Sequence, residues 1–434
     1  MAIRLLLLWG ISLGLLCGCG PEVQNVSEVS GELPTDVPPV NVTETDWPWW
    51  RGTSRKGLAN DQQIPTEWGP QTNVVWKSEV PGRGHASPTI VGDRIFLATA
   101  DEEKQTQSVL AYDRATGKEL WRKEVHSGNL PEKGHPKSSY ASSTLAGDGE
   151  RIFAVFLNGG KLHATALDLE GKIVWQESLD RFVPKFGYAA SPAIYKSLVI
   201  VAGDNQGGGY LTALNRATGD LVWRVKRPND ASFSTPVIAE IEDRDLLVLA
   251  GCKQVIAYDP TNGEKIWSVD GTAETAVGTA VWEDNKVVAS GGWPEKDTVC
   301  INAATGEAVW HVPKDIYVPS LLVHDGYVYA VDNGGVGYCW SLADGQRQWQ
   351  ARVGGNYSSS PVLVGDKILI TNESGETVIF EANPEAFNEI GRNKLGDEAF
   401  ASPVVVGNRI YLRTAHRDGD RQEVLYCIGD TERL

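Results

Sequence analysis

Seven aromatic or imidazole side chains, His85, Tyr140, Tyr188, Phe233, Tyr317, Tyr357 and Phe400, each stand just ahead of a Ser- or Thr-led apolar run. A ring recurring at one place in a repeated unit gathers π faces around a common point, which suits stacking on a flat ligand or on a peptide side chain. Rim packing beneath loops would use the same rings. Basic residues in nearby loops, Arg83, Lys133, Lys137, Lys185 and Lys314, would draw an acidic partner, although solvated surface charge accounts for each taken singly. Nothing comparable marks a reaction centre. No catalytic acid, base or nucleophile can be assigned, and no Cys or His pair has the spacing of metal ligands.

Those rings are positioned by repetition. An eleven-residue pattern, small-x-Asp/Asn-x-x-x-Gly-x-x-x-Trp, runs from Ala111 to Trp121, Ala213 to Trp223 and Ala257 to Trp267. It recurs with departures from Cys300 to Trp310, from Cys339 to Trp349 and, one residue shorter, from Ala166 to Trp175. The acidic or amide residue can accept hydrogen bonds from turn amides, and the Gly supplies the positive φ of a tight turn. The Trp then falls on the strand that follows. Ahead of each copy comes a Ser-Pro or Thr-Pro step, an apolar run and a second turn: Ser87, Ser191, Thr235, Ser360 and Ser402, with degenerate versions at Ser142, Thr279 and Ser320.

Successive markers are about 40 to 55 residues apart, enough for four short strands and their turns. Eight markers therefore predict an all-β, eight-bladed propeller of four-stranded antiparallel blades over residues 72–430. The eighth unit ends near Cys427 without an outer strand, and Asn73 to Lys77 is an outer strand without a blade. Pairing the two closes the ring and removes two exposed edges. Trp76, Trp121, Trp175, Trp223, Trp267, Trp310 and Trp349 then read as docking residues between blades. Cys300, Cys339 and Cys427 take the small position that Ala fills elsewhere, so they and Cys252 are expected to be buried, unpaired and chemically quiet.

The ends of the chain carry other signals. Arg4 followed by the apolar stretch Leu5 to Leu16 is too short to span a bilayer and reads as an export signal over residues 1–19. Its last residues, Leu16-Cys17-Gly18-Cys19, resemble a bacterial lipobox, which makes Cys19 the candidate for acylation. Residues 20–46 hold six acidic residues and no Lys or Arg, the composition of a flexible tether. Residues 47–71 form a Trp-rich segment expected to pack on the propeller. A formal charge of −16 with only 40 Lys and Arg argues against a nucleic-acid partner.

The eleven-residue pattern, as in Ala111 to Trp121, resembles the tryptophan-docking motif of the pyrroloquinoline quinone (PQQ)-like repeat propellers, over nearly all of residues 72–430. Lipobox, acidic tether and compact blades are similar to the BamB-like outer-membrane assembly lipoproteins. Trp47-Pro48-Trp49-Trp50-Arg51-Gly52 is similar to a segment that opens many propellers of this kind. The resemblance implies a non-catalytic, monomeric scaffold that is lipid-anchored and faces the periplasm, at the outer rather than the inner membrane, with envelope proteins as partners. The same superfamily contains PQQ-dependent dehydrogenases, which pair vicinal cysteines with Ca²⁺-binding Glu and Asn and a basic Asp. No adjacent cysteines occur here, so neither PQQ nor Ca²⁺ is expected. A dehydrogenase-like enzyme and a ligand- or glycan-binding sensor remain the alternatives.

Overall fold

The computed structural model describes residues 28–59, 62–132 and 135–431. Its strands form eight sheets around a central channel, and no α-helix occurs among the described residues. Blade 1 is typical: Thr89–Val91, Arg94–Asp101, Thr106–Asp113 and Glu119–Ser127 pair antiparallel in chain order. The two middle strands are buried on both faces and read as near-continuous apolar runs, whereas Glu119–Ser127 alternates because only one face is covered. Blade 8 is completed by the other end of the chain: Val74–Val80 pairs antiparallel with Gln422–Ile428, with Trp76 opposite Cys427. Ring closure by the amino-terminal strand thus gives blade 8 its fourth strand, as in the other blades.

The repeat pattern builds the seams between blades. Asp113 Oδ1 accepts the Thr116 amide (2.8 Å), the Gly117 amide returns to the Asp113 carbonyl, and Gly117 sits at φ +73°. Each docking indole donates Nε1–H to a carbonyl one residue past the corresponding turn position in the next blade, or two past it for Trp349. Trp76 reaches Arg114, Trp121 Leu169, Trp175 Arg216, Trp223 Pro260, Trp267 Ala303, Trp310 Leu342 and Trp349 Asn383, at 2.8–3.2 Å. The turn glycine lies under the ring. A Cβ on Gly263 would stand 2.7 Å from the Trp223 indole, so this position needs glycine for space as well as for its φ of +78°.

Blade 7 departs from the pattern. Gly391 faces Ile379 at the register point where the other outer strands carry Trp, and the Thr66 carbonyl lies 2.7 Å from where its Cβ would be. The junction is filled from elsewhere: Trp68, 5% exposed, packs into the cluster shared by blades 7, 8 and 1, and its amide donates to Asn393 Oδ1 (2.8 Å).

Nearer the axis, seven of the eight neighbouring pairs of markers are hydrogen-bonded. The amide of Ser87 donates to Thr144 Oγ1, Thr144 to Ser191, Ser191 to Thr235, Thr279 to Ser320, Ser320 to Ser360, Ser360 to Ser402 and Ser402 back to Ser87, at 2.7–3.1 Å. In blade 2 the position belongs to Thr144 and not to Ser142. Ser142 lies two residues earlier and bonds locally to Ser139.

A strap crosses the face of the ring at the far ends of the inner strands. Trp47 bridges Ile90 in blade 1, Trp49 Nε1 donates to Gly147 in blade 2, and Arg55 donates to Ile194 in blade 3. Trp50 Nε1 donates to Thr279 in blade 5, Arg51 to Leu321 before blade 6, and Leu58–Ala59 pairs in parallel with blade 7. The free-tether reading of residues 20–46 is corrected from residue 28 onward. Val29 bridges Arg224, the Pro38 carbonyl accepts from Arg216, the Asn41 amide donates to Asp148 O, and Asp46 Oδ1 accepts the Gly92 amide. An acidic, Pro-rich composition cannot form a core of its own, yet its backbone can still satisfy groups that a neighbouring sheet leaves open. The signal segment 1–19, with Cys19, and residues 20–27 lie outside the described residues.

Candidate binding site at the channel mouth

Seven of the eight belt hydroxyl residues line a cavity of about 610 Å³ that opens on the face opposite the strap. Trp50 forms its floor, its indole N–H held by Thr279 Oγ1 (2.8 Å). Aromatic rings make the wall. His85 stacks on Phe400 (centroids 4.3 Å apart, planes at 28°), and Phe186 stacks on Phe233 (6.2 Å, 27°). His135 meets Phe186 edge-on at 5.7 Å, and Tyr188 and Tyr317 complete the ring. Trp293 stands at the lip with 59% of its surface exposed.

His85, Tyr188, Phe233, Tyr317 and Phe400 are therefore brought together, while two of the residues that the repeat placed beside them are not. Tyr140 lines a separate small pocket formed by blade 2 and the connections before and after it, and Tyr357 is fully buried with its hydroxyl unpartnered. Burial raises the hydroxyl pKa of Tyr188 well above its ordinary value and that of Tyr317 to a smaller degree, so both stay neutral. Tyr188 also donates to the Ala202 carbonyl (3.2 Å), which leaves its ring as the surface it presents.

Of the described basic residues, only Lys137 reaches the cavity, and it is committed: its Nζ lies 2.6 Å from Glu373 Oε2 in blade 7. Arg83 reaches the Pro136 carbonyl (3.3 Å) and Glu102 (3.9 Å), bracing the connection that carries Lys137. Lys185 pairs with Glu274 (3.4 Å), Lys314 with Asp332 (2.9 Å), and Lys133 lies outside the described residues. Phe186, His135, Trp50, Trp293, Asn333 and Glu373 line the site without having been marked by the repeat. Trp293, Asn333 and Glu373 lie in hairpins between second and third strands, outside the Trp-docking pattern. The site is thus a ring that includes blades 5 to 7.

The cysteines lie elsewhere. Cys252, Cys300, Cys339 and Cys427 are buried free thiols, and burial pushes the last three up to about 12 and Cys252 higher still. Among the described residues no cluster of His, Cys, Asp and Glu has the make-up of a metal site. The lining also matches PQQ poorly, since that molecule carries three carboxylates and the single lysine on offer is already bound to a carboxylate.

Comparison with known families resolves the placement. The family described as "Outer membrane protein assembly factor BamB" matches over residues 67–182 and 105–351. The chain belongs to the BamB family. A BamB of Bordetella pertussis is 25% identical over 361 residues, covering 78% of this chain and 83% of its own. The relationship extends to enzymes: a polyvinylalcohol dehydrogenase of a Pseudomonas species is 23% identical over 43% of this chain and 30% of its own. In three dimensions a europium-containing methanol dehydrogenase superposes with a TM-score of 0.69, covering 86% of this chain and 90% of its own, at 12% identity. That last likeness is one of fold alone. BamB proteins and quinone dehydrogenases share the ring, and this chain's kinship leans to the BamB side.

Proposed function

We propose that this protein is a non-catalytic scaffold of the cell envelope, of the outer-membrane assembly kind, which receives a segment of a partner protein at its channel mouth. Residues 1–19 direct export, Cys19 carries the lipid, and the monomeric propeller faces the periplasm from the outer membrane. The observation that carries the reading is the exposed Trp293 standing over an aromatic cup whose far end the strap closes. Aromatic anchors in a concave, partly apolar site are the usual energetic centre of a protein interface. The BamB relatives supply the setting, since their name assigns them to outer-membrane protein assembly.

The test places a photoreactive amino acid at Trp293 or Tyr317 in living cells, with Thr305 on the opposite face as control. Outer-membrane assembly components crosslinked from the mouth positions, and not from Thr305, would support the reading. Silence at the mouth, or equal labelling from both faces, would reject it.

A second reading, a PQQ-dependent dehydrogenase-like enzyme, is favoured by the dehydrogenase relative and by a cavity large enough for a small molecule. Dye reduction after addition of PQQ and Ca²⁺ in the presence of an alcohol or sugar distinguishes it. A sugar ligand without turnover would be detected by calorimetry, and loss of that binding in Tyr317→Ala would place it at the mouth.

A further inference from the structure

The path of the strap bears on how the propeller is held at the membrane, an inference that rests on the acylation of Cys19 proposed above. Val29 exchanges two backbone hydrogen bonds with Arg224 (2.9 and 2.8 Å), adding a rung to the free edge of the outer strand of blade 3, Leu221–Arg227. Beside it the Lys226 amide donates to Glu28 Oε1 (3.4 Å). Gly31 presses so closely on this strand that a Cβ would stand 2.3 Å from the Val222 carbonyl oxygen.

The contact covers an apolar position that other blades leave open. Val222 precedes its docking Trp and is only 7% exposed, whereas Leu120, Val174 and Val309, which occupy the same place in blades 1, 2 and 5, are 43–45% exposed. Leu33 packs against the same cluster as Val222. The strap is therefore seated on blade 3 by backbone pairing, by steric fit and by apolar burial together.

Cys19 is nine residues from Glu28. Nine residues span about 30 Å at full stretch and roughly 15–18 Å as a flexible coil. A chain loose as far as Asp46 would reach about 90 Å and leave the ring free to turn over. We infer that the rim of blade 3, around Arg224, is the edge of the ring held against the bilayer, so that the channel mouth opens along the membrane surface. A partner segment then enters from the side, parallel to the bilayer, and blade 7 is the edge farthest from the lipid.

Lys226 in blade 3 and Lys394 in blade 7 occupy matching, exposed positions on opposite outer strands. A fluorescent amino acid at one or the other site, in the full lipidated protein on phosphatidylethanolamine/phosphatidylglycerol vesicles with acceptor-labelled headgroups, reads the distance of each rim. Transfer from position 226 is expected to exceed transfer from position 394 by at least about twofold, given the short leash. Gly31→Val, which drives a side chain into the Val222 carbonyl without altering a blade, should bring the two toward equality. Equal transfer in the acylated parent, or an asymmetry that survives Gly31→Val, overturns the inference while leaving acylation intact. Palmitate labelling with Cys19→Ala as control reads acylation separately; an unlabelled parent would remove the anchor and the inference with it.

Discussion

Lys137 and Glu373 tie together parts of the ring that no strand connects: the connection from blade 1 to blade 2 reaches a hairpin of blade 7 through a 2.6 Å contact between Nζ and Oε2. Ser358 holds the other Glu373 oxygen at 2.6 Å, so the carboxylate is oriented before the lysine arrives. The lysine side chain is 54% exposed and the glutamate 16%, which limits such a pair to about 0.2–1 kcal/mol. Lys137→Ala is therefore expected to leave the melting temperature within about a degree or two while speeding amide exchange across residues 128–138. High salt should reproduce the effect in the parent, because exposed pairs are screened. Unchanged exchange in the variant would mean that the connection is held by Arg83 and His135 alone.

The seams predict a graded series. Trp223 is fully buried, and Trp223→Ala should cost about 3–5 kcal/mol in denaturant unfolding, in the range for large core truncations. Trp121 is only partly buried and should cost less. Trp68→Ala should behave like loss of a docking residue, since Trp68 fills the junction that blade 7 leaves open. Gly391→Trp, which restores the repeat on paper, should destabilise, because the Thr66 carbonyl already occupies the space its Cβ needs. A Gly391→Trp variant more stable than the parent would show that Trp68 is not the substitute.

The ring and its closure were legible because they rest on a local pattern. Asp113, Gly117 and Trp121 are tied to one turn and one strand, and each copy repeats the same chemistry with neighbours a fixed distance away. The orphan outer strand near Trp76 could be matched to its blade for the same reason. The strap escaped such reading. Val29, Asn41 and Trp50 dock on blades far away in sequence, and no periodicity marks them. The mouth was half legible: His85 and Phe400 could be placed by their position before a marker, whereas Glu373 and Trp293 sit in hairpins whose partners only the closed ring reveals. Tyr357 obeys the same position rule yet is fully buried.

The buried thiols give a chemical check on the fold. Cys300, Cys339 and Cys427 have pKa values pushed up to about 12 by burial, and Cys252 is raised further by burial and by Asp204. A thiol reagent at pH 8 finds too little thiolate and no access at these four positions. In a natively folded chain of residues 28–434, none of the four thiols should react within minutes, and all four should react on addition of guanidinium. Rapid labelling of Cys252 in the native state would place it at a mobile edge instead of under the hairpin that carries it.

Acid should weaken blades 1 and 2 first. His126 and His163 face each other across the junction of blades 1 and 2 at 4.8 Å between ring centroids, and His126 Nε2 is buried without a partner. Burial, and then the adjacent His163, pushes the His126 imidazole from its ordinary 6.5 down to about 4; burial lowers His163 as well. Above pH 6.5 both folded and unfolded chains hold His126 neutral, so it contributes no pH dependence there. Between pH 6.5 and 4 the unfolded chain takes up the proton and the folded chain does not, so stability rises with pH in this window and is lost as pH falls through it. His126→Phe should flatten the melting temperature against pH between 6.5 and 4 relative to the parent, with the two curves converging in shape above 6.5. A variant whose acid limb stays as steep as the parent's would rule out His126 as its cause.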